Sequence, residues 1–162
     1  MFLPMRPWRL RPILTISSIN ARSGLGLAER EVVQITAAAT HGCGFCVAGH
    51  TAIATKKVDL DPATVNALRM LEAPADPRLE AVATFTRSVI ATRGQAPDAA
   101  LDALRTSGFT DANALEVVLG ISLATLCNFA NNPGQPPLNP ELEAFRWDGL
   151  VQHDRADSSR TG

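Results

Sequence analysis

Apolar residues recur every three to four positions along most of the chain, the spacing of amphipathic helices rather than strands. The first periodic segment runs from near Leu27 to near Thr40, with Glu29 and Glu31 in its first turns, where acids favour the positive end of the helix dipole. His41-Gly42 ends it, and a second segment starts near Cys43 and closes on the cations Lys56 and Lys57. Asp61-Pro62 and Asp76-Pro77 each pair an N-cap with a proline at the first helical position, and they predict helices to about Glu72 and Arg93. In the second of these, Leu79, Val82, Ala83, Val89 and Ile90 keep helical spacing, and Gly94 is the stop. Pro97 opens another helix that Gly108 stops. Thr110 or Asp111 caps the last long helix, which reaches about Phe129; Leu115, Val118, Leu119, Ser122, Leu126 and Phe129 are its expected buried stripe. Four prolines within 131–140 predict an extended surface connection. A short helix over 141–147 then docks through Leu142, Phe145 and Trp147. The one β-rich stretch, 13–19, is short. The fold class is therefore all-α, a single-domain helical bundle of about six helices.

The ends change this picture. The first 28 residues carry Arg6, Arg9, Arg11 and Arg22 and no acid, while Pro4, Pro7 and Pro12 break the amphipathic helix that a targeting segment needs. The expectation is an irregular arm over 1–24, packed on a neighbouring subunit, then a helical domain over 25–148 and a flexible polar tail over 149–162.

The chain has 162 residues, 46% hydrophobic and 19% charged, which suits one compact domain and excludes general disorder. A net charge of −1 lacks the clustered positive charge that nucleic acid requires. No uncharged apolar run approaches the ~18 residues of a membrane span, so no membrane partner is expected. Three cysteines, Cys43, Cys46 and Cys127, are too few and odd in number for a secreted disulfide scaffold, and a cytoplasmic location is expected.

The informative stretch is Glu31, then His41-Gly42-Cys43-Gly44-Phe45-Cys46-Val47-Ala48-Gly49-His50. With Cys43 at the origin of a helical wheel, Cys46 falls near ~300° and His50 near ~340°, so all three share one face. Cys46 and His50 are also an i, i+4 pair whose side chains can meet. A thiolate, not a thiol, attacks peroxides and disulfides, and a free cysteine titrates near ~8.5, so it needs help at neutral pH. Cys43 gains that help from a helix N-terminus, and Cys46 from His50. A second cysteine one turn away can trap a sulfenic acid as a disulfide. If the His41-Gly42 turn folds the preceding helix back, Glu31 approaches the thiol face and orients His50, with Glu29 as a competitor.

This pattern, Glu31 followed by Cys43-x-x-Cys46-x-x-x-His50, resembles the alkylhydroperoxidase D-like (AhpD-like) branch of the carboxymuconolactone decarboxylase superfamily. The stretches LAEREVVQITAAATHGCGFCVAGHT and GFTDANALEVVLGISLATLCNF are similar to it as well, and the likeness covers about residues 25–145. The resemblance implies an all-helical oligomer, trimer or hexamer, with no metal and no organic cofactor. It also implies a peroxidase that reduces small organic hydroperoxides and is regenerated by a dithiol, from a lipoyl-bearing or thioredoxin-like partner. Carried over, Glu31 and His50 manage protons, Cys46 attacks peroxide and Cys43 resolves the disulfide. The helix dipole alone favours Cys43 as nucleophile. Some family members carry a histidine just before the second cysteine; Phe45 stands there here, which implies a shorter relay.

Other chemistries fit parts of the pattern. His41, Cys43, Cys46 and His50 could supply four zinc ligands in a non-enzymatic helical oligomer, although no second ligand pair follows. Lactone decarboxylation, the other chemistry of the superfamily, has no evident need for two adjacent thiols. A thioredoxin fold lacks its βαβ frame. Cys127 reads as a core residue, Asn128 as a helix cap or pocket wall, and His153 as an inert tail residue.

Overall fold

A computed structural model describes residues 7–149, and what it shows is helical throughout, with no strand among the described residues. The α-helices are α1 (Pro7–Asn20), α2 (Leu27–Thr40), α3 (Gly44–Ile53), α4 (Pro62–Arg69), α5 (Pro77–Thr92), α6 (Asp98–Thr106) and α7 (Asp111–Asn131). A π-helical turn, Ala54–Val58, prolongs α3, and a 3₁₀ segment, Pro140–Phe145, follows α7. They form one helical domain. The tail expected over 149–162 lies, beyond Gly149, outside the described residues.

Local sequence devices start the helices. Asp61 accepts the Thr64 N–H (3.1 Å), and Asp76 accepts those of Arg78 (2.8 Å) and Leu79 (3.3 Å). Thr110 and Asn113 form a reciprocal capping box at the head of α7. Each such cap is worth about 1 kcal/mol.

The packing centres on α2, which contacts α3, α4, α5 and α7. Its nine residues 31–39 are all buried. A helix enclosed on all sides must satisfy its polar groups internally. Gln34 does so by donating Nε2–H to the Gly120 carbonyl on α7 (3.0 Å). Gly120 is what lets the two helices meet: a Cβ there would stand 3.0 Å from Val33 Cγ1. Ile35, Val82, Leu104 and Val117 are sealed in the same core, each contributing roughly 1.5–3 kcal/mol by burial.

Four expectations need correction. The segment 1–24 is not irregular throughout, because 7–20 form α1. Pro7 occupies the first helical position, where no amide bond is lost; Pro12 strains its turn, and contact along α7 supplies the packing that holds the helix. On α7 the expected stripe is the wrong face. Leu115 is 72% and Phe129 58% exposed, with Val118, Ser122 and Leu126 beside them in solvent. The buried face is Ala114, Val117, Gly120, Ile121, Leu123, Ala124 and Asn128. Close approach to α2 selects small residues, so the bulky apolar positions turn outward. Finally, the closing helix is a short 3₁₀ segment, and the second sequence helix ends as α-helix at Ile53.

Candidate active site

The turn between α2 and α3 builds the site. Gly42 takes the left-handed conformation (φ 69°), its N–H bonds Ala39 O (3.2 Å), and Cys43 N–H bonds Ala38 O (2.9 Å). This is a Schellman closure, and it reverses the chain so that α3 packs back along α2. Cys43 is thus the residue closing α2 and the N-cap of α3, with Cys46 in the first turn of α3 and His50 one turn further.

The reversal brings α3 to Glu31. His50 Nδ1 lies 2.8 Å from Glu31 Oε2. Glu31 is only 5% exposed, whereas the His50 side chain keeps 29% of its surface in solvent. With Nδ1–H donating to the carboxylate, the other ring nitrogen, Nε2, is left as the proton acceptor. Glu29 does not compete: it pairs with Arg78 (3.1 Å), which also holds the Ser107 carbonyl (3.0 Å) and stacks on Phe109.

Cys43 and Cys46 are both free thiols, packed with Ala38, Ala39 and Val47. Their acidities diverge. A hydrogen bond from the Cys43 thiol brings Cys46 down to about 6, against the opposing effect of burial, with help from the amides of Asn131 and Asn128 and the charge of His50. Cys43 moves up, because it keeps its proton to donate to Cys46 and because it is buried. The Asn131 contact is direct, Nδ2–H to Sγ at 3.3 Å.

A cavity of about 640 Å³ opens beside Cys43, lined also by Phe45, Asn131, Gln135, Leu138 and Trp147 among others; Cys46 is not part of its wall. Its far wall is the segment after α7. Arg69 pins that segment by donating to the carbonyls of Phe145 (3.3 Å) and Arg146 (2.7 Å), and Trp147 Nε1 returns a bond to Arg69 O (3.1 Å). The charge of Arg146 on the rim is met by Glu143.

The structure therefore pairs Glu31 with His50 and packs Cys43 with Cys46, with His50 on the helix that Cys43 caps and whose first turn holds Cys46. His41 stands apart: Nε2 meets Thr125 Oγ1 (3.2 Å), the ring packs edge-on to Phe129, and burial lowers its basicity. It does not complete a four-ligand zinc set, and among the described residues no three His, Cys, Asp or Glu side chains converge as metal ligands. Cys127 is half-buried against the thiol cluster. Asn131 is the residue that sequence reasoning missed. It falls in the proline-rich stretch read as extended, yet α7 continues through it. The available signal was its i, i+3 spacing from Asn128.

Residues 15–88 match the carboxymuconolactone decarboxylase family. Among solved structures, an uncharacterized peroxidase-related protein from Ralstonia eutropha with an alkylhydroperoxidase AhpD core is 27% identical. The likeness covers 85% of this chain and 74% of that one, at a TM-score of 0.75. A protein of unknown function from Agrobacterium tumefaciens, grouped with the antioxidant defence protein AhpD, shares the fold at 20% identity, over 83% of this chain and 92% of that one (TM-score 0.73). An uncharacterized peroxidase-related protein from Silicibacter does so at 20% identity, over 87% and 76% (TM-score 0.75). No curated protein sequence matches the chain. The family match spans the stretch from Glu31 to His50 and the shared fold extends over more than four-fifths of the chain, so the chain is similar to the carboxymuconolactone decarboxylase family in sequence and to AhpD-like proteins in fold.

Proposed function

We propose that the protein is a thiol-dependent peroxidase that reduces small organic hydroperoxides by cycling Cys46 and Cys43 between dithiol and disulfide. One observation carries this reading: a buried carboxylate, Glu31, holds His50 at 2.8 Å on the helix face that bears an acidified cysteine. Cys46 thiolate attacks the terminal peroxide oxygen. The S–O bond forms as the O–O bond breaks, and the departing alkoxide leaves as an alcohol by taking back the proton that His50 Nε2 accepted from the Cys46 thiol. Cys46 is now a sulfenic acid. The Cys43 sulfur attacks it, its proton passes through His50 to the leaving hydroxide, and water departs as the disulfide closes. An external dithiol, from a lipoyl-bearing or thioredoxin-like partner, returns both cysteines to thiols, so the cycle belongs in a reducing compartment such as the cytoplasm. The cavity beside Cys43 is far larger than hydrogen peroxide needs, and its mixed apolar and amide lining suits a neutral organic substrate.

The working unit in this reading is a homo-oligomer. By length and composition alone α7 is apolar enough to cross a membrane. Its outward stripe of Leu115, Val118, Leu126 and Phe129 carries no charge, and Leu14 and Ile19 on the adjoining α1 are also exposed. A second copy of the chain is the proposed cover.

The test is hydroperoxide turnover with dithiothreitol or dihydrolipoamide. Cys43→Ser and Cys46→Ser each abolish catalytic cycling, and His50→Ala slows it by about 10²-fold or more. Unchanged turnover in Cys46→Ser would refute the assignment.

A further inference from the structure

Two carboxamides from α7 converge on one sulfur. Asn131, the last residue of that helix, donates Nδ2–H to Cys46 Sγ at 3.3 Å. Asn128, one turn earlier on the same helix face, adds its amide to the influences that lower the Cys46 pKa. Asn128 is 1% exposed, and its Oδ1 finds no hydrogen-bond partner among the described residues. A buried amide with an orphaned acceptor is a poor packing choice, since an apolar side chain of similar volume would carry no such penalty. What the amide supplies, and leucine does not, is an N–H donor.

We propose that Asn128 and Asn131 form an anion cradle for Cys46, two positioning residues that hold its sulfur as a thiolate before attack and receive it again when the disulfide is reduced. The chemistry favours this use. A thiol is a weak acceptor, whereas a thiolate takes several strong charge-assisted bonds, so each N–H stabilises the charged form selectively. The spacing fits, because residues three apart on a helix share a face and both can reach one point on α3. During regeneration a dithiol's thiolate attacks Cys43, which lines the cavity. A new S–S bond forms, the Cys43–Cys46 bond breaks, and its electron pair leaves on Cys46. The better-stabilised thiolate leaves faster, so the cradle sets which sulfur departs. The charge state of Cys46 stands apart from any substrate; only the catalytic consequence rests on the peroxidase reading.

The test is the pH dependence of iodoacetamide alkylation at Cys46 in the full chain, resolved by peptide mass spectrometry. Asn131 is half-buried, so its variants spare the core. For Asn131→Leu the midpoint rises by about one pH unit, which slows alkylation at pH 6 about fivefold and leaves the high-pH plateau unchanged. Asn131→Asp keeps the shape but puts a carboxylate against the thiolate, and there the slowing exceeds about tenfold. A purely structural asparagine would leave the Asn131→Leu midpoint in place, whereas the carboxylate of Asn131→Asp raises it by proximity alone, so the leucine variant decides. An unchanged midpoint in Asn131→Leu, or a lower one in Asn131→Asp, overturns the cradle. Hydroperoxide turnover measured alongside separates the two claims. Shifted midpoints in a protein with no turnover sustain the cradle and sink the peroxidase reading. Unshifted midpoints with full turnover do the reverse.

Discussion

The Glu31–His50 pair should be asymmetric, and a mutant cycle can show it. Glu31 is 5% exposed, and among the described residues His50 is its one side-chain hydrogen-bond partner. His50→Ala leaves a carboxylate buried with no cation or donor. Breaking a fully buried pair this way costs about 3–5 kcal/mol. The His50 side chain is 29% exposed, so water can enter the gap, and we expect about 2–3 kcal/mol. The opposite deletion is cheap. Glu31→Gln removes the charge, keeps an oxygen to accept from Nδ1–H, and leaves a solvated imidazole, for less than about 1 kcal/mol. The double variant, with neither buried charge nor missing partner, should recover to within about 1 kcal/mol of Glu31→Gln. Urea unfolding of the four proteins measures these values. Turnover should show no such rescue, because the double variant lacks the imidazole. A double variant as unstable as His50→Ala would refute the reasoning, since the cost would then lie in lost packing rather than an orphaned carboxylate.

Three further outcomes follow from the same coordinates. Cys43→Ala removes the strongest support for the Cys46 thiolate, so the ultraviolet thiolate absorbance that wild type gains as pH rises through about 6 should shift to higher pH; Cys43→Ser, which keeps a donor, should shift less. Leu115→Glu with Leu126→Glu places charge on the exposed stripe of α7 and should yield a folded monomer by sedimentation where wild type is oligomeric; a monomeric wild type would overturn the assembly. Gly120→Val forces a branched side chain against Val33 and should cost about 2 kcal/mol in thermal or urea unfolding.

What could be read from the chain was what local chemistry decides. Asp61-Pro62, Asp76-Pro77 and Thr110 announce helix starts because a cap is satisfied within three residues of itself. The meeting of Cys43, Cys46 and His50 was legible for the same reason, being fixed by one helix and its N-terminal turn. Glu31 needed one long-range step, the Gly42 reversal, and glycine marked it. Tertiary competition hid the rest. Both faces of α7 are apolar, and periodicity gives no sign of which one α2 covers. The answer lay in size: the face with Ala114, Gly120 and Ala124 permits close approach, and the face with Leu115 and Phe129 does not. At α1, proline outweighed everything in the sequence reading, whereas contact with α7 decides in the folded chain.

The same contest of magnitudes bears on which of the two thiols is the more acidic. Judged on the helix dipole, Cys43 should be the thiolate, since it caps α3. That effect is worth about 0.3–1 kcal/mol at a typical terminus. A hydrogen bond to a charged group is worth about 1.5–3 kcal/mol, and Cys46 receives them from Cys43, Asn131 and Asn128. Three directed donors outweigh one diffuse field even after burial takes its share. The dipole's beneficiary therefore becomes a donor: by keeping its proton, Cys43 charges its neighbour. In the proposed cycle Cys43 is left as the unoxidised partner, and it must give up that proton before its sulfur can close the disulfide.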